Sequence, residues 1–287
     1  MTHSTFHFPE AVRQSAITGG EGVGGIVVEV ETVDSTNRLL ADLGREGAAH
    51  GTVLIARDQN AGRGKGERAW FSTVEGSLCL SVLIRTRRSI SQAAQLTLLA
   101  AVALRETIAL TTGVEAGIKW PNDLLVDGRK ICGILAEAVC DEDGELACVV
   151  VGMGINLAIA DDEFPEDLRG PATSLATLAG RAVDREAFVE TLGRVFDRWT
   201  RLWERRGLAA FAATWTAHAV DLGRVVHLTD GDEDLCAMLV GLAADGALRI
   251  RGADGAVRDV HSGEISTEAP VGRIPSHNPK THMGAFS

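Results

Sequence analysis

"IKWPNDLLVDGRKICGILAE" occupies residues 118–137 and sets the fold class. Short apolar runs are broken twice by turn chemistry. "WPND" carries a proline that fixes φ and removes a backbone donor. "DG" at 127–128 suits the two positive-φ corners of a two-residue hairpin. The stretch therefore predicts strand, proline turn, strand, hairpin turn, strand. "LACVVVGMGINL" (146–157) adds a buried strand that runs into glycine-rich backbone.

Upstream, "GIVVEVE" (25–31), "GTVLIARD" (51–58) and "GSLCLSVLIRT" (76–86) read as strands. "DSTNRLLADLGREG" (34–47) reads as a helix with capping residues before it and glycine after it. Ser89 or Ser91 opens a second helix to about Leu110. From Asp184, Phe188, Leu192, Phe196, Trp199 and Trp203 recur at helical spacing until Gly207 stops the run. Beyond His218 the pattern changes. "GRVVHLT", "DLCAMLVGL", "ALRIRG" and "AVRDVHSGEIS" are short strands between Asp/Gly turns, the pattern of a small barrel. The expected organisation is a flexible arm over 1–25, an α+β domain over 26–217, a small β domain over 218–268 and a disordered tail over 269–287.

Composition limits what such a chain does. The 287 residues are 45% hydrophobic and 23% charged, an ordinary globular balance. A net charge of −11 excludes a general nucleic-acid coat, which needs a broad basic face. The start lacks the basic and apolar segments of a signal peptide. The longest apolar-looking stretch, near Ala147 to Ala160, contains Asn156 and is too short to cross a bilayer. Cys132, Cys140 and Cys148 have no close zinc-type pairing and sit in apolar runs, so buried free thiols are expected. The expectation is a cytoplasmic protein with no membrane segment.

Against this acidic background "DQNAGRGKGERAWFS" (58–72) is unusual. Gly62, Gly64 and Gly66 allow close backbone approach to a ligand, and Arg63, Lys65 and Arg68 concentrate positive charge. A P-loop needs Gly-Lys-Ser/Thr and a dinucleotide fingerprint needs a helix after its glycines; neither is present. A solvated basic turn remains the plain alternative. Three further patches weigh against it: Lys119, Asn122, Asp123 and Lys130 around the two tight turns, "GMGIN" (152–156), and "DSTN" (34–37). Lys130 leads directly into "ICGILAE", a lysine at the mouth of a core, and that placement suits an anionic ligand.

"STN", "Q-x-AGRG…R-x-W-x-S", "KWPND…GRK-x-x-GIL-x-E" and "GxGINL", in this order, resemble the biotin protein ligases over roughly residues 26–268. The resemblance implies an α+β catalytic domain similar to class II aminoacyl-tRNA synthetases, with a mixed sheet, followed by an SH3-like barrel. It implies ATP and biotin as substrates with Mg2+, activation of biotin as biotinyl-5′-AMP, and transfer to a lysine of a biotin carboxyl carrier domain. Carried over by residue, Ser35, Thr36, Asn37 and Gln59 would meet biotin's ureido ring. Gly62 and Arg63 would lie near its chain and carboxylate, and Gly133, Gly152, Met153 and Gly154 along the pocket wall. Lys130 would be catalytic with Arg63 and Lys119. Lys65, Arg68, Trp70, Asn122, Asp123 and Asn156 would serve the adenylate, with Trp70 and Asn156 at adenine; no metal ligand is assigned directly. The family usually has arginine where Lys65 stands, often a basic residue at Gly66, and glycine or asparagine at Glu67; bacterial relatives often carry arginine at Glu268. These departures bear on how firmly the intermediate is held. About 25 residues precede the first core strand, too few for the operator-binding domain of some relatives, so no DNA partner is expected. An exposed sheet edge near 116–127 would allow a homodimer. A lipoate or octanoyl ligase shares the fold, but a ureido ring needs polar partners that a dithiolane does not. A non-catalytic biotin sensor would have no need of Lys119 and Lys130.

Overall fold

The computed structural model describes residues 13–15, 22–66, 68–230 and 233–266. Most of the expected arm, the whole expected tail, Glu67 and Glu268 lie outside them. Eight strands form one mixed sheet: β1 (Arg13–Ser15), β2 (Val27–Val33), β3 (Val53–Gln59), β4 (Ser77–Ile84), β5 (Gly117–Lys119), β6 (Asp123–Val126), β7 (Arg129–Cys140) and β8 (Leu146–Asn156). Their spatial order is β1-β2-β3-β4-β8-β7-β6-β5. Only β2 and β3 pair in parallel, with helix α1 (Thr36–Arg45) as their crossover. The remaining pairs are antiparallel.

The two faces of the sheet are covered differently. Leu40 and Leu43 of α1 pack with Val28, Leu54, Leu83 and Val150 on one face. The short α2 (Ile90–Ala93), α3 (Gln95–Thr112) and α5 (Arg185–Arg206) cover the other, with Phe188, Phe196 and Trp203 fully buried. Every residue of β4 is buried, which explains why all its residues except Ser77 and Ser81 are apolar. The helical run Ile90–Thr112, with mean hydropathy 1.4, is long and apolar enough to cross a membrane by length and composition. Among the described residues it is this run, rather than 147–160, that meets the length and hydropathy of a membrane span. Leu96, Leu99, Ala100, Ala101, Ala103 and Leu104 are each fully buried, so in this fold it serves as the core helix.

Local signals mark most boundaries. Asp127 (φ 49°) and Gly128 (φ 75°) make the β6–β7 turn with two positive φ angles. The Trp120–Pro121 peptide is cis. Asp184 caps α5 by accepting from the Ala187 amide, and Gly207 ends it. Two short helices, α4 (Leu175–Ala179) and α6 (Ala212–Ala217), carried no strong periodicity.

A second sheet, β9 (Val225–Asp230), β10 (Glu233–Leu242), β11 (Leu248–Arg251), β12 (Val257–Val260) and β13 (Glu264–Ser266), has the order β12-β11-β10-β9-β13. The segment "AVRDVHSGEIS" is thus two strands, with Gly263 (φ 134°) just before β13. Val226, Leu228, Leu239 and Ile250 join the core of the larger sheet, so the two units share one apolar interior.

Three expectations change. The end of the expected arm is packed: Val23 is fully buried and its amide donates to Asp197 on α5, while Arg13–Ser15 extend the sheet. The edge near 116–127 is not free. Ile118 donates to His218 O and accepts from Val220 N, so the chain's own connection to the second sheet occupies β5's outer side. Homodimerisation through that edge would require this contact to open. Finally, Cys79, Cys132 and Cys148 are buried but Cys140 and Cys236 are exposed. Burial pushes the Cys79 thiol up to about 11 and raises that of Cys132 further. Two thiols are expected to react rapidly with a disulfide reagent at neutral pH and five in denaturant. Rapid native reaction of three or more would contradict the burial.

Candidate active site

A cleft of about 700 Å³, counting its open mouth, lies on the α1 face of the sheet. Its floor comes from β4, β7 and β8. Gly133 and Gly154 are register partners on β7 and β8, and Gly152 faces Leu135. The glycines are there because side chains cross over them. A Cβ at Gly154 would lie 2.3 Å from Trp70 Cε2, and one at Gly152 would lie 2.1 Å from Asn37 Oδ1.

One end of the cleft is polar and uncharged. Ser35 stands at the N-cap of α1, yet its hydroxyl makes no capping bond and lines the cleft instead. Gln59 Oε1 accepts from the Thr36 amide at 2.8 Å and from Thr36 Oγ1 at 3.1 Å. Asn37 is 4% exposed and donates to Leu135 O at 3.0 Å and Glu137 Oε2 at 2.8 Å. Its Oδ1 accepts from Ser81 at 2.6 Å.

The other end is charged. Lys130 Nζ pairs with Asp123 at 2.7 Å and lies 5.5 Å from the Trp70 ring centroid. Its main chain is held by three bonds: Lys130 N to Pro171 O, and Thr173 N and Asn156 Nδ2 to Lys130 O. Asn122 is tied to β7 by exchange with Ile134, its side-chain amide also donating to Ile134 O at 2.9 Å.

The basic loop arches over both ends. Arg63 bridges to Ala69, Gly64 N donates to Arg68 O, and Gly66 (φ 71°) turns the tip. Lys65 Nζ donates to Gly263 O at 2.7 Å and lies 5.7 Å from the Trp120 ring. Arg68 pairs with Glu264, which also meets Arg169. The loop is therefore braced by the second sheet. Arg63, Lys65, Arg68 and Lys130 line the cleft against the carboxylate of Asp123, the one acidic lining residue among those described. Such a cleft suits an anion at one end and a neutral, hydrogen-bonding group at the other.

The biotin/lipoate A/B protein ligase family matches residues 29–156, and the biotin protein ligase C-terminal domain matches residues 221–267. The biotin–[acetyl-CoA-carboxylase] ligase of Paracoccus denitrificans is 36% identical over 225 residues, covering 77% of this chain and 92% of that protein. The chain belongs to the biotin protein ligases. The bifunctional ligase/repressor of Bacillus subtilis is 30% identical over 260 residues, 90% of this chain and 79% of that protein. The biotin protein ligase of Aquifex aeolicus, solved in complex with biotin and ATP, superposes with a TM-score of 0.72 at 28% identity, covering 84% and 97% of the two chains. The family carries an α+β fold with a mixed sheet and an SH3-like C-terminal domain, as the sequence motifs implied.

Within this ligase the structure gathers most of the expected site residues and leaves three aside. Ser35, Thr36, Asn37 and Gln59 share the neutral end; Asn122, Asp123 and Lys130 share the charged end; Lys65, Arg68 and Trp70 lie above. Asn156 does not line the cleft. It is 3% exposed, and its amide nitrogen donates to Lys130 O and Thr173 O, so it holds the main chain under Lys130 and is not free to meet adenine. Lys119 also lies outside the lining; it is the β5 register partner of Asp123, and its charge acts on the carboxyl of Asp221, which burial raises. Gly62 supports the loop by accepting from Trp70 N. Trp70 lies against Gly133 and Gly154, the expected biotin wall, with its indole N–H buried and unbonded. Arg63 departs furthest from expectation. Its guanidinium pairs with Glu137 at 3.0 Å. The Lys130 ammonium lies over Gly133, four residues along β7 from Glu137, about 13 Å at strand rise. Arg63 thus closes the neutral end and stands away from Lys130.

Sequence reasoning missed Glu137, Ser81, Cys79 and Glu264 as site residues. Ser81 had a signal: it sits in an otherwise mostly apolar strand, where a buried hydroxyl needs a partner, and Cys79 shares its face two residues earlier. Glu137 closes the GIL-x-E motif, although nothing local names its partners; Glu264 had no signal, because its partners are distant in sequence.

Proposed function

We propose that this ligase activates biotin with ATP and passes it to a lysine of a biotin carboxyl carrier domain. In the first step a biotin carboxylate oxygen attacks the α-phosphorus of ATP, the P–O bond to pyrophosphate breaks, and biotinyl-5′-AMP forms. In the second, an acceptor lysine amine attacks the acyl carbon, AMP leaves, and the amine loses a proton. The observation that carries the reading is the division of one cleft into a neutral amide–hydroxyl end and a cationic end, spanned by glycine floor. A cyclic urea fits the first, and a carboxylate meeting phosphates fits the second.

In this reading Lys130 is the catalytic residue, its ammonium between the reacting carboxylate and the α-phosphate oxygens. Thr36, Asn37 and Gln59 orient the urea. Arg68 and Lys65 close over the nucleotide and limit water at the anhydride. Mg2+ is bound in such sites through one or two carboxylates with phosphates and water. Among the described residues no three metal-ligating side chains cluster, and Asp123 is the carboxylate available, which fits a metal that arrives on the nucleotide. It would neutralise phosphate charge there. The net charge of −11 supports the absence of a general DNA-binding role. Biotin-dependent release of pyrophosphate from ATP, followed by labelling of a carrier domain, tests the reading. A lipoate or octanoyl ligase would release pyrophosphate with those acids instead, and a sensor with none.

Loop chemistry gives a further expectation. Lysine at position 65 offers a point charge already shared with Gly263 O, whereas arginine offers a planar fork able to hold that carbonyl and a phosphate together. Glu67 adds a carboxylate to the same loop. Labelled biotinyl-AMP is expected to leave a Lys65→Arg, Glu67→Gly double mutant more slowly than the native enzyme, by about 1–2 kcal/mol or roughly 5- to 30-fold. Equal or faster release from the double mutant would remove Lys65 and Glu67 as determinants of retention.

A further inference from the structure

The neutral end of the cleft contains a hydrogen-bond chain with a single consistent direction. Glu137 Oε2 can only accept, as can Leu135 O, so both N–H bonds of Asn37 Nδ2 point at them. Asn37 Oδ1 therefore faces Ser81 and takes its only hydroxyl proton. Ser81 Oγ and Thr36 Oγ1 lie 2.8 Å apart. With the Ser81 proton directed to Asn37, Thr36 Oγ1 receives none from Ser81 and has only its own, which lies within reach of Gln59 Oε1 at 3.1 Å. Gln59 Oε1 receives both the Thr36 amide and the Thr36 hydroxyl, so the lone pairs left open are those of Thr36 Oγ1. Thr36 Oγ1 is thus an acceptor facing the cleft.

The direction of the whole chain is set at one carboxylate. Glu137 uses one oxygen for Asn37 and the other for Arg63, at 2.8 Å and 3.0 Å. Both partners are obligate donors at these atoms. Among side chains of this length only a carboxylate accepts on both sides; glutamine would present its amide nitrogen to one of the two donors, and aspartate falls one carbon short. Asn37 is almost fully buried, so an unfavourable contact there cannot be relieved by water.

We propose that Glu137 is the positioning residue that keeps Thr36 Oγ1 an acceptor at this end of the cleft, and so favours a ligand bearing an N–H donor. It touches no substrate; it acts through Asn37, Ser81 and Thr36 on the ligand, and through Arg63 on the loop above. The proposal rests on the biotin reading, because the ureido group supplies two N–H donors on one ring.

The test compares binding of biotin and of biotin methylated on a ureido nitrogen, by calorimetry, to the native enzyme, Glu137→Gln and Arg63→Gln. The native enzyme is expected to prefer biotin by about 100-fold or more. Glu137→Gln should weaken biotin roughly 10- to 100-fold and reduce the preference at least about fivefold, because the methylated ligand has less to lose. The KM for biotin should rise while kcat and the KM for ATP change little. Arg63→Gln keeps the Glu137–Asn37 bond and should keep the preference even if overall affinity falls, and it serves alone if Glu137→Gln does not fold. Equal weakening of both ligands by Glu137→Gln, or loss of preference in Arg63→Gln, would overturn the proposal. Failure of the native enzyme to bind biotin would overturn the biotin reading itself.

Discussion

Lys130→Ala is expected to slow biotin-dependent pyrophosphate release by roughly 10²- to 10³-fold, about 3–4 kcal/mol of transition-state stabilisation. Negative charge from the carboxylate and the α-phosphate converges only as the reaction proceeds, so an ammonium fixed beforehand gains most in the transition state. The Lys130 side chain is 34% exposed, which tempers its field without abolishing it. The substitution leaves the main-chain bonds to Pro171 and Thr173 and the Asn156 bond in place, so thermal stability should change little. Biotin binding alone should weaken far less than turnover, since the urea end is remote. A variant with near-normal turnover would remove Lys130 from its catalytic role.

Gly152→Ala should have the second largest effect, acting on the opposite end of the cleft. The added Cβ would lie 2.1 Å from Asn37 Oδ1 and 2.8 Å from its Cγ, far inside contact. Asn37 has nowhere to move: its amide donates to Leu135 O and Glu137, and its oxygen accepts from Ser81. Displacing it breaks three buried hydrogen bonds, or else α1 and β8 move apart. Overpacking and unsatisfied polar groups cost about 1–3 kcal/mol each. Biotin affinity should fall about 100-fold or more, with a melting temperature lower by several degrees. Retention of native affinity would show that the neutral end does not recognise biotin.

Elements with a strong local cause were legible. The Asp127–Gly128 turn needs two positive φ angles, and the dipeptide announces them. Helix α5 is written in Phe188, Leu192, Phe196 and Trp203 between Asp184 and Gly207. The expected arm was misjudged at Val23, where a lone apolar residue among glycines gave no sign of the α5 surface that buries it. Glycines 133, 152 and 154 were legible as bare backbone. What crosses them, Trp70 and Asn37, was not.

By itself the sequence determined strand alternation, turn positions, helix limits, and the set of motifs that places this chain among the biotin protein ligases. These depend on interactions within a few residues, or on residue identities that the order of the chain preserves. The tertiary structure alone decided which charges meet around the cleft. Glu137 reaches Asn37 across 100 positions and Lys65 reaches Gly263 across 198. It also withdrew Asn156 and Lys119 from the cleft and sent Arg63 to its neutral end. Partners of this kind are chosen by strand order and register, here β8 inserted between β4 and β7, and by the path of a loop over the sheet. No local periodicity encodes them, because a side chain's nearest opposite charge is fixed only when distant strands come side by side.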